Sequence, residues 1–253
     1  MQLPALVRQI TEDTGAVILC FDDEKKLVYA TPSWLDAAFG RSLAASAGSP
    51  LAELVPAQVY QTGAALLERV LRGEDRIRRV GFFFGRLALL TLRRHACDDA
   101  PGRSLIIASL KPLRSRSEYE LALADRENEP AAINDRGVLA KLTIRQAEVL
   151  ALVAQGLPGP QIARTLHRTP KAIEFHRQSI KEKLGFGSVA ELTNLAVESG
   201  LYLLRVDEVG FWWRRGGDRS RALPTKTTAG RSRPQKADAA SADKPTVTSG
   251  SPN

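Results

Sequence analysis

The sequence predicts an α+β N-terminal domain, an antiparallel sheet with helices, joined to an all-α domain of four short helices and a polar tail. Three observations carry that prediction. Strand-like runs fall as two, then three, around a block of helix-favouring segments. Between 142 and 200, capping and breaking residues mark out four helices. Beyond about 215 large apolar residues almost vanish. With 253 residues, 43% of them apolar, the chain can bury a sizeable core as one large domain or two small ones.

The first strands are 16–21 (AVILCF) and 26–30 (KLVYA), β-branched and aromatic runs around a polar turn, which together form a hairpin. A helix follows from Pro32 to about Phe39, with Gly40 placed to end it. Helix-favouring residues occupy 51–72, up to Gly73. The remaining strands are 77–84, 86–94 and 104–110, with Gly85 turning the first pair and CDDAPGR the second. No parallel crossover is required, which favours an antiparallel sheet. The charged stretch 114–128 reads as a connecting helix, and EPAAINDRG as a flexible joint.

The strand order and the segment TPSWLDAAFG resemble a PAS-type domain over about 15–112. The resemblance implies a domain that senses a small molecule or cofactor, or serves to dimerise. It does not choose among these, so no cofactor is predicted and any ligand stays unknown. His95 and Cys97 at a strand end invite a haem or metal reading, but ordinary roles suit such a pair better. A phosphoacceptor domain would need an Asp after an apolar strand behind the acidic cluster Asp22, Asp23 and Glu24, and none follows. An acyl-homoserine-lactone domain would be longer and would carry an aromatic and Asp pattern absent here.

The helical region is punctuated more sharply. Thr143 and Gln146 have capping-box spacing, and Val149, Leu150 and Val153 keep one apolar face up to Gly156. Pro160 suits the first turn of a short second helix with Ile162, Ala163 and Leu166. Thr169 and Pro170 open a third helix that stops at Gly185, and Ser188 with Glu191 opens a fourth that ends near Gly200. On the third helix Ile173, Ile180 and Leu184 form the core stripe. The opposite face carries Lys171, Glu174, Phe175, Gln178, Lys181 and Glu182. Such a face, behind a short turn, suits the DNA major groove, although by itself it also describes an ordinary solvated helix.

The segment 142–192 resembles the LuxR-type (GerE or NarL-like) helix-turn-helix. It matches the family pattern at Leu142, Thr143, Arg145, Val149 and Leu150, then at Gly156, Ile162, Ala163 and Leu166, then at Ile173, His176, Ile180, Lys183 and Leu184. It departs at Gln146, where Glu is usual, at Ala172, where Thr is usual, and at Glu174, where Lys is common. The resemblance implies a transcription regulator that binds double-stranded DNA as a homodimer, with RNA polymerase a possible further partner. It makes the helix 170–184 the reader. Phe175, Gln178 and Glu174 then contact bases, while Arg164, Arg168, Lys171, Arg177, Lys181 and Lys183 engage phosphates. His176 lies beside the apolar stripe, which suits a structural or phosphate-bonding role. The contrasting reading is a protein–protein regulatory module whose helix-turn-helix, altered by Glu174, binds DNA weakly or not at all.

Charge agrees with a nucleic-acid partner, although solubility alone would also account for it. Residues 1–140 balance 18 basic against 18 acidic side chains, 141–200 carry 8 against 5, and 201–253 carry 10 against 5. The divisions read as a sensor or dimerisation domain at 1–112, a helical linker at 113–137, the helix-turn-helix domain at 138–202, and a basic, largely disordered tail at 203–253. In that tail FWWRRGG can dock on the globular part, stack on nucleic acid or bind a partner. No apolar run reaches the roughly 20 residues of a membrane span, Cys20 and Cys97 suggest no disulfide framework, and no secretory leader is apparent, so a cytoplasmic location is expected. No G-x-S-x-G, Walker A or H-E-x-x-H element points to an enzyme.

Overall fold

The computed structural model describes residues 11, 13–97, 102–131 and 134–214. Strands β1 (Val17–Phe21) and β2 (Leu27–Ala30) form the first hairpin. Helices α1 (Pro32–Phe39), α2 (Leu43–Ser46), α3 (Leu51–Leu54) and α4 (Ala57–Leu71) follow, then strands β3 (Arg76–Phe83), β4 (Arg86–Ala96) and β5 (Ser104–Pro112). The helix-favouring stretch 51–72 is broken at Val55, which is extended (ψ 155°) because it precedes Pro56. Phe84 and Gly85 make the two-residue β3–β4 turn with φ of 51° and 78°. Positive φ at both positions matches the twist of the hairpin, but it is a strained conformation for a phenylalanine.

Two features depart from the sequence reading of the linker. The helix α5 spans only Arg116–Ala124, and Asn128–Pro130 forms a sixth strand, β6. The sheet order is β2-β1-β5-β4-β3-β6, antiparallel except for the β3–β6 pair. What reads in sequence as a flexible joint is therefore partly a sheet edge. Arg78 holds it by an ion pair to Asp125 at 2.5 Å, and Asn134 accepts from the Phe82 amide at 2.9 Å. An edge strand is where a proline such as Pro130 is tolerated.

The C-terminal bundle begins with a 3-10 turn (Gly137–Lys141) and continues with α6 (Ile144–Ala154), α7 (Gly159–Thr165), α8 (Pro170–Leu184) and α9 (Val189–Glu198). A second 3-10 turn (Leu201–Leu203) leads to α10 (Val206–Arg214). Ordered structure therefore runs through 203–214, which the sequence reading gave to the tail; residues 215–253, the rest of that tail, lie outside the described residues. The physical reason is apolar: Val209, Phe211, Trp212 and Trp213 are all buried.

The sheet has two covered faces. Ile77, Leu90, Leu92, Ile106 and Leu110 pack with Leu35, Leu54 and Leu67 of the α1–α4 side. Val80, Phe82 and Leu87, which point the other way, share one continuous core with Leu139, Val149, Leu150, Leu201 and Trp212. The seam between sheet and bundle is thus a packed interior. The Leu87 amide donates to the Ser199 carbonyl at 2.8 Å across it. Gly200, at φ 74°, permits that approach, since a Cβ there would lie 3.0 Å from Leu87 Cβ.

Candidate nucleic-acid interface

The helix-turn-helix is α7, a turn, and α8. His167 occupies the turn at φ 52°, and the Arg168 amide donates back to the Ala163 carbonyl at 2.8 Å, closing the end of α7. Thr169 caps α8 by accepting from the Ala172 amide at 3.2 Å, and Pro170 supplies a first-turn residue with no amide to satisfy. Ile173 and Ile180 are buried and lock the inner side of α8 to the bundle. The register of α8 is therefore set by its core stripe, and that register decides which side chains face outward.

Lys171, Glu174, Phe175, Gln178 and Glu182 are exposed, with Phe175 71% open to solvent. An aromatic ring left so open on a helix that had core positions available is the most unusual exposure on this surface. Gln178 Nε2 donates to Glu182 Oε1 at 2.9 Å, and Glu174 pairs loosely with Arg177 at 3.4 Å. Both contacts are solvated and weak enough to be exchanged for a base or phosphate. Arg164 and Arg168 are exposed at the flank of α7 and the turn.

Two residues expected among the phosphate contacts also touch the protein: Arg177 is half-buried, and Lys183, though exposed, bonds back to it. Arg177 keeps only 23% of its side chain exposed, one position from the core stripe on the helical wheel. Lys183 Nζ reaches Gln146 Oε1 at 2.9 Å. Gln146 is the centre of a small network. Its Oε1 also accepts from the Thr143 amide at 3.0 Å, completing the capping box of α6, while its Nε2 donates to Ser179 Oγ at 3.0 Å. The amide thus ties α8 to the start of α6, a link that a capping pattern alone does not reveal.

His176 is half-buried near Arg145 and Arg168. Burial first, and then the two guanidiniums, hold its pKa below the ordinary 6.5, so the ring is neutral at neutral pH. An anion brought to this cluster would reverse the sign of its surroundings.

The seam also contains residues that sequence reasoning did not place. Trp212 Nε1 donates to Tyr119 Oη at 3.0 Å, and Trp213 Nε1 to the Leu142 carbonyl at 2.9 Å. Asn134 Nδ2 donates to the Trp212 carbonyl at 2.6 Å, and the Arg136 guanidinium lies 4.9 Å from the Trp213 ring centre. The Phe82 ring stands edge-on to both tryptophans, at 6.4 and 5.9 Å. Arg116 pairs with the buried Glu208, bridging α5 and α10 at 2.5 and 2.8 Å. The apolar spacing Val206, Val209, Trp213 is the signal that could have marked this helix in the sequence. His95 is exposed and Cys97 half-buried, and among the described residues no cluster of three or more His, Cys, Asp or Glu could hold a metal.

A helix-turn-helix whose second helix presents an open polar side, carried beside a PAS-like sheet, defines a DNA-binding regulator with an attached sensor-type domain. Comparison with known proteins agrees. Residues 140–196 match the family described as bacterial regulatory proteins, luxR family, and residues 11–118 match the PAS fold. The tetrathionate response regulatory protein TtrR of Salmonella typhimurium is 30% identical over 158 residues, covering 55% of this chain and 72% of the relative. FixJ of Rhizobium meliloti is 33% identical over 86 residues, 34% of this chain and 41% of FixJ. MctR of Rhizobium johnstonii is 37% identical over 60 residues, 24% of this chain and 28% of MctR. Among solved structures, a phage VqmA–DPO complex is 19% identical with a TM-score of 0.39, covering 82% of this chain and 95% of that one. The PAS domain of Bordetella pertussis BvgS is 20% identical with a TM-score of 0.35, covering 48% and 93%. The chain belongs to the LuxR family of bacterial regulatory proteins and is a DNA-binding transcription regulator with a PAS domain. Among the described residues no helix is long and apolar enough to cross a membrane.

Proposed function

We propose that the chain regulates transcription in the cytoplasm as a homodimer on an inverted-repeat site, with α8 of each protomer in a major groove. The observation that carries this is the open outer side of α8, where Lys171, Glu174, Phe175 and Gln178 are exposed and uncovered by the described residues of the chain. Gln178 has the amide geometry for adenine N6 and N7, Phe175 for a thymine methyl, and Glu174 for the cytosine amine. Lys171, Lys181, Arg164 and Arg168 supply phosphate contacts that fix register without reading sequence. Arg177 and Lys183 act instead by holding α8 in place. We take the DNA-binding unit to extend to Arg214, because α10 shares its core.

A single short helix reads few base pairs, which favours two copies. Val189 and Val197 support this: they lie eight residues apart on α9 and are 38% and 46% exposed. The PAS-type domain then acts as the sensor, and RNA polymerase is a partner for the bound dimer. Genome-wide occupancy, followed by mobility shifts of the full chain on the recovered duplexes at fixed salt, tests the reading. Enrichment of a two-fold symmetric site is expected. Retention of no duplex even in dilute salt would overturn it.

A further inference from the structure

Beneath the sheet lies a partly open cavity of about 100 Å³, lined almost wholly by apolar groups such as Leu19, Phe21, Leu66, Leu90 and Leu110. A dry apolar cavity of roughly 150 Å³ holds a benzene-sized molecule, so this one alone has room for a short chain or a small ring at most. Next to it a surface groove of about 490 Å³ runs past Val17, Thr31, Ser33, Trp34 and Arg86. That volume falls in the usual small-molecule range. The two spaces share Phe83, Phe84 and Leu110 as lining. Phe84 stands between them, its ring edge-on to Trp34 at 4.9 Å, on the strained backbone of the β3–β4 turn.

Arg86 decides the chemistry. It opens β4 on the same side of the sheet as Ala88 and Leu90, is exposed at the groove, and has no carboxylate within ion-pairing distance among the described residues. We infer that the cavity and groove form one site for a small monocarboxylic acid, its apolar body reaching past Phe84 into the cavity and its carboxylate on Arg86. A cationic ligand would be set against Arg86, and a polar one would leave most of its groups unpaired in an interior that is apolar apart from Thr62 and Asp135. A phosphate dianion would want more than the single guanidinium the groove offers. The inference rests on the sensor reading of this domain and gives that sensor a ligand class.

The position of Phe84 also supplies a route to the bundle. The Gly85 amide donates to the Asp135 carbonyl at 2.9 Å, and Gly137 packs so closely on Gly85 that a Cβ there would sit 3.1 Å from Gly85 Cα. Between them Arg136 lies on Trp213. A turn that moves to admit a ligand must shift 135–137, and those residues hold the seam.

The test is calorimetric titration of the full chain with hexanoate and phenylacetate, each beside its alcohol, hexan-1-ol and 2-phenylethanol. The acids should bind at least about tenfold more tightly than the alcohols. Arg86→Gln, a change at an exposed site, should erase that preference while leaving alcohol binding unchanged. Failure of every probe to bind, an equal loss for acid and alcohol in Arg86→Gln, or a preference for the alcohols would overturn the proposal. DNA-binding titrations with and without the acid separate the two readings. Acid binding with unchanged DNA affinity sinks the sensor role and leaves the site standing.

Discussion

On α8 two neighbouring side chains should behave differently when removed. Gln178→Ala is expected to cost about 1–3 kcal/mol at one base pair and relax specificity there, whereas Lys181→Ala should weaken every sequence alike. Binding titrations on matched and mismatched duplexes distinguish them, and equal losses for Gln178→Ala across all duplexes would refute base reading. His176 gives a prediction in pH. Its folded pKa is lowered below 6.5, so as pH falls past that value the unfolded chain takes up a proton before the folded one does. This contribution to stability is therefore present above about 6.5 and lost below it. Urea midpoints measured from pH 7.5 to 5.5 should fall less steeply in His176→Gln than in the parent. The residues of α8 were legible because a 3.6-residue period assigns inward and outward positions from sequence alone. The contacts of Arg177 and Lys183 were not legible, because one lies beside the core stripe and the other, though exposed, finds Gln146 on a different helix.

Most elements were legible where a local signal fixes their ends. Thr143 with Gln146 and Ser188 with Glu191 form complete capping boxes, and Thr169 caps α8, as their spacings imply. The short β6 was not legible, since a three-residue edge strand has no periodicity and depends on β3 for its pairing. Nor was the depth of α10: VDEVGFWWR is apolar at its end, yet only the sheet face formed by Val80, Phe82 and Leu87 tells where those rings go. Removing them should be expensive. Trp212 is fully buried, so Trp212→Ala should cost about 3–5 kcal/mol. Tyr119→Phe, which leaves the indole N–H without its acceptor, should cost about 1–3 kcal/mol. Chemical denaturation of both variants checks this, and a loss under 1 kcal/mol for Trp212→Ala would show that α10 is only loosely attached.

Across the whole molecule, charge and core follow different divisions. Residues 215–253 carry 8 basic and 3 acidic side chains, and deleting them should flatten the dependence of log affinity on log salt while sparing sequence preference. Such a deletion must start after Arg214; a stop at Gly210 would remove Phe211, Trp212 and Trp213 from the interior and unfold the bundle. An unchanged salt slope in the shorter chain would leave the extension no electrostatic role on DNA.

The hydrogen bond from Leu87 to Ser199, with the tryptophans beside it, has a further consequence for how the chain melts and how it can be divided. Amide protons on β3, β4 and α6 should exchange through a single shared opening instead of two independent ones. A fragment cut at the chain's midpoint would emerge with Phe82 and Leu87 bare and would associate with itself. Swapping this input half onto another reader would therefore require transplanting the last nine helical residues along with it.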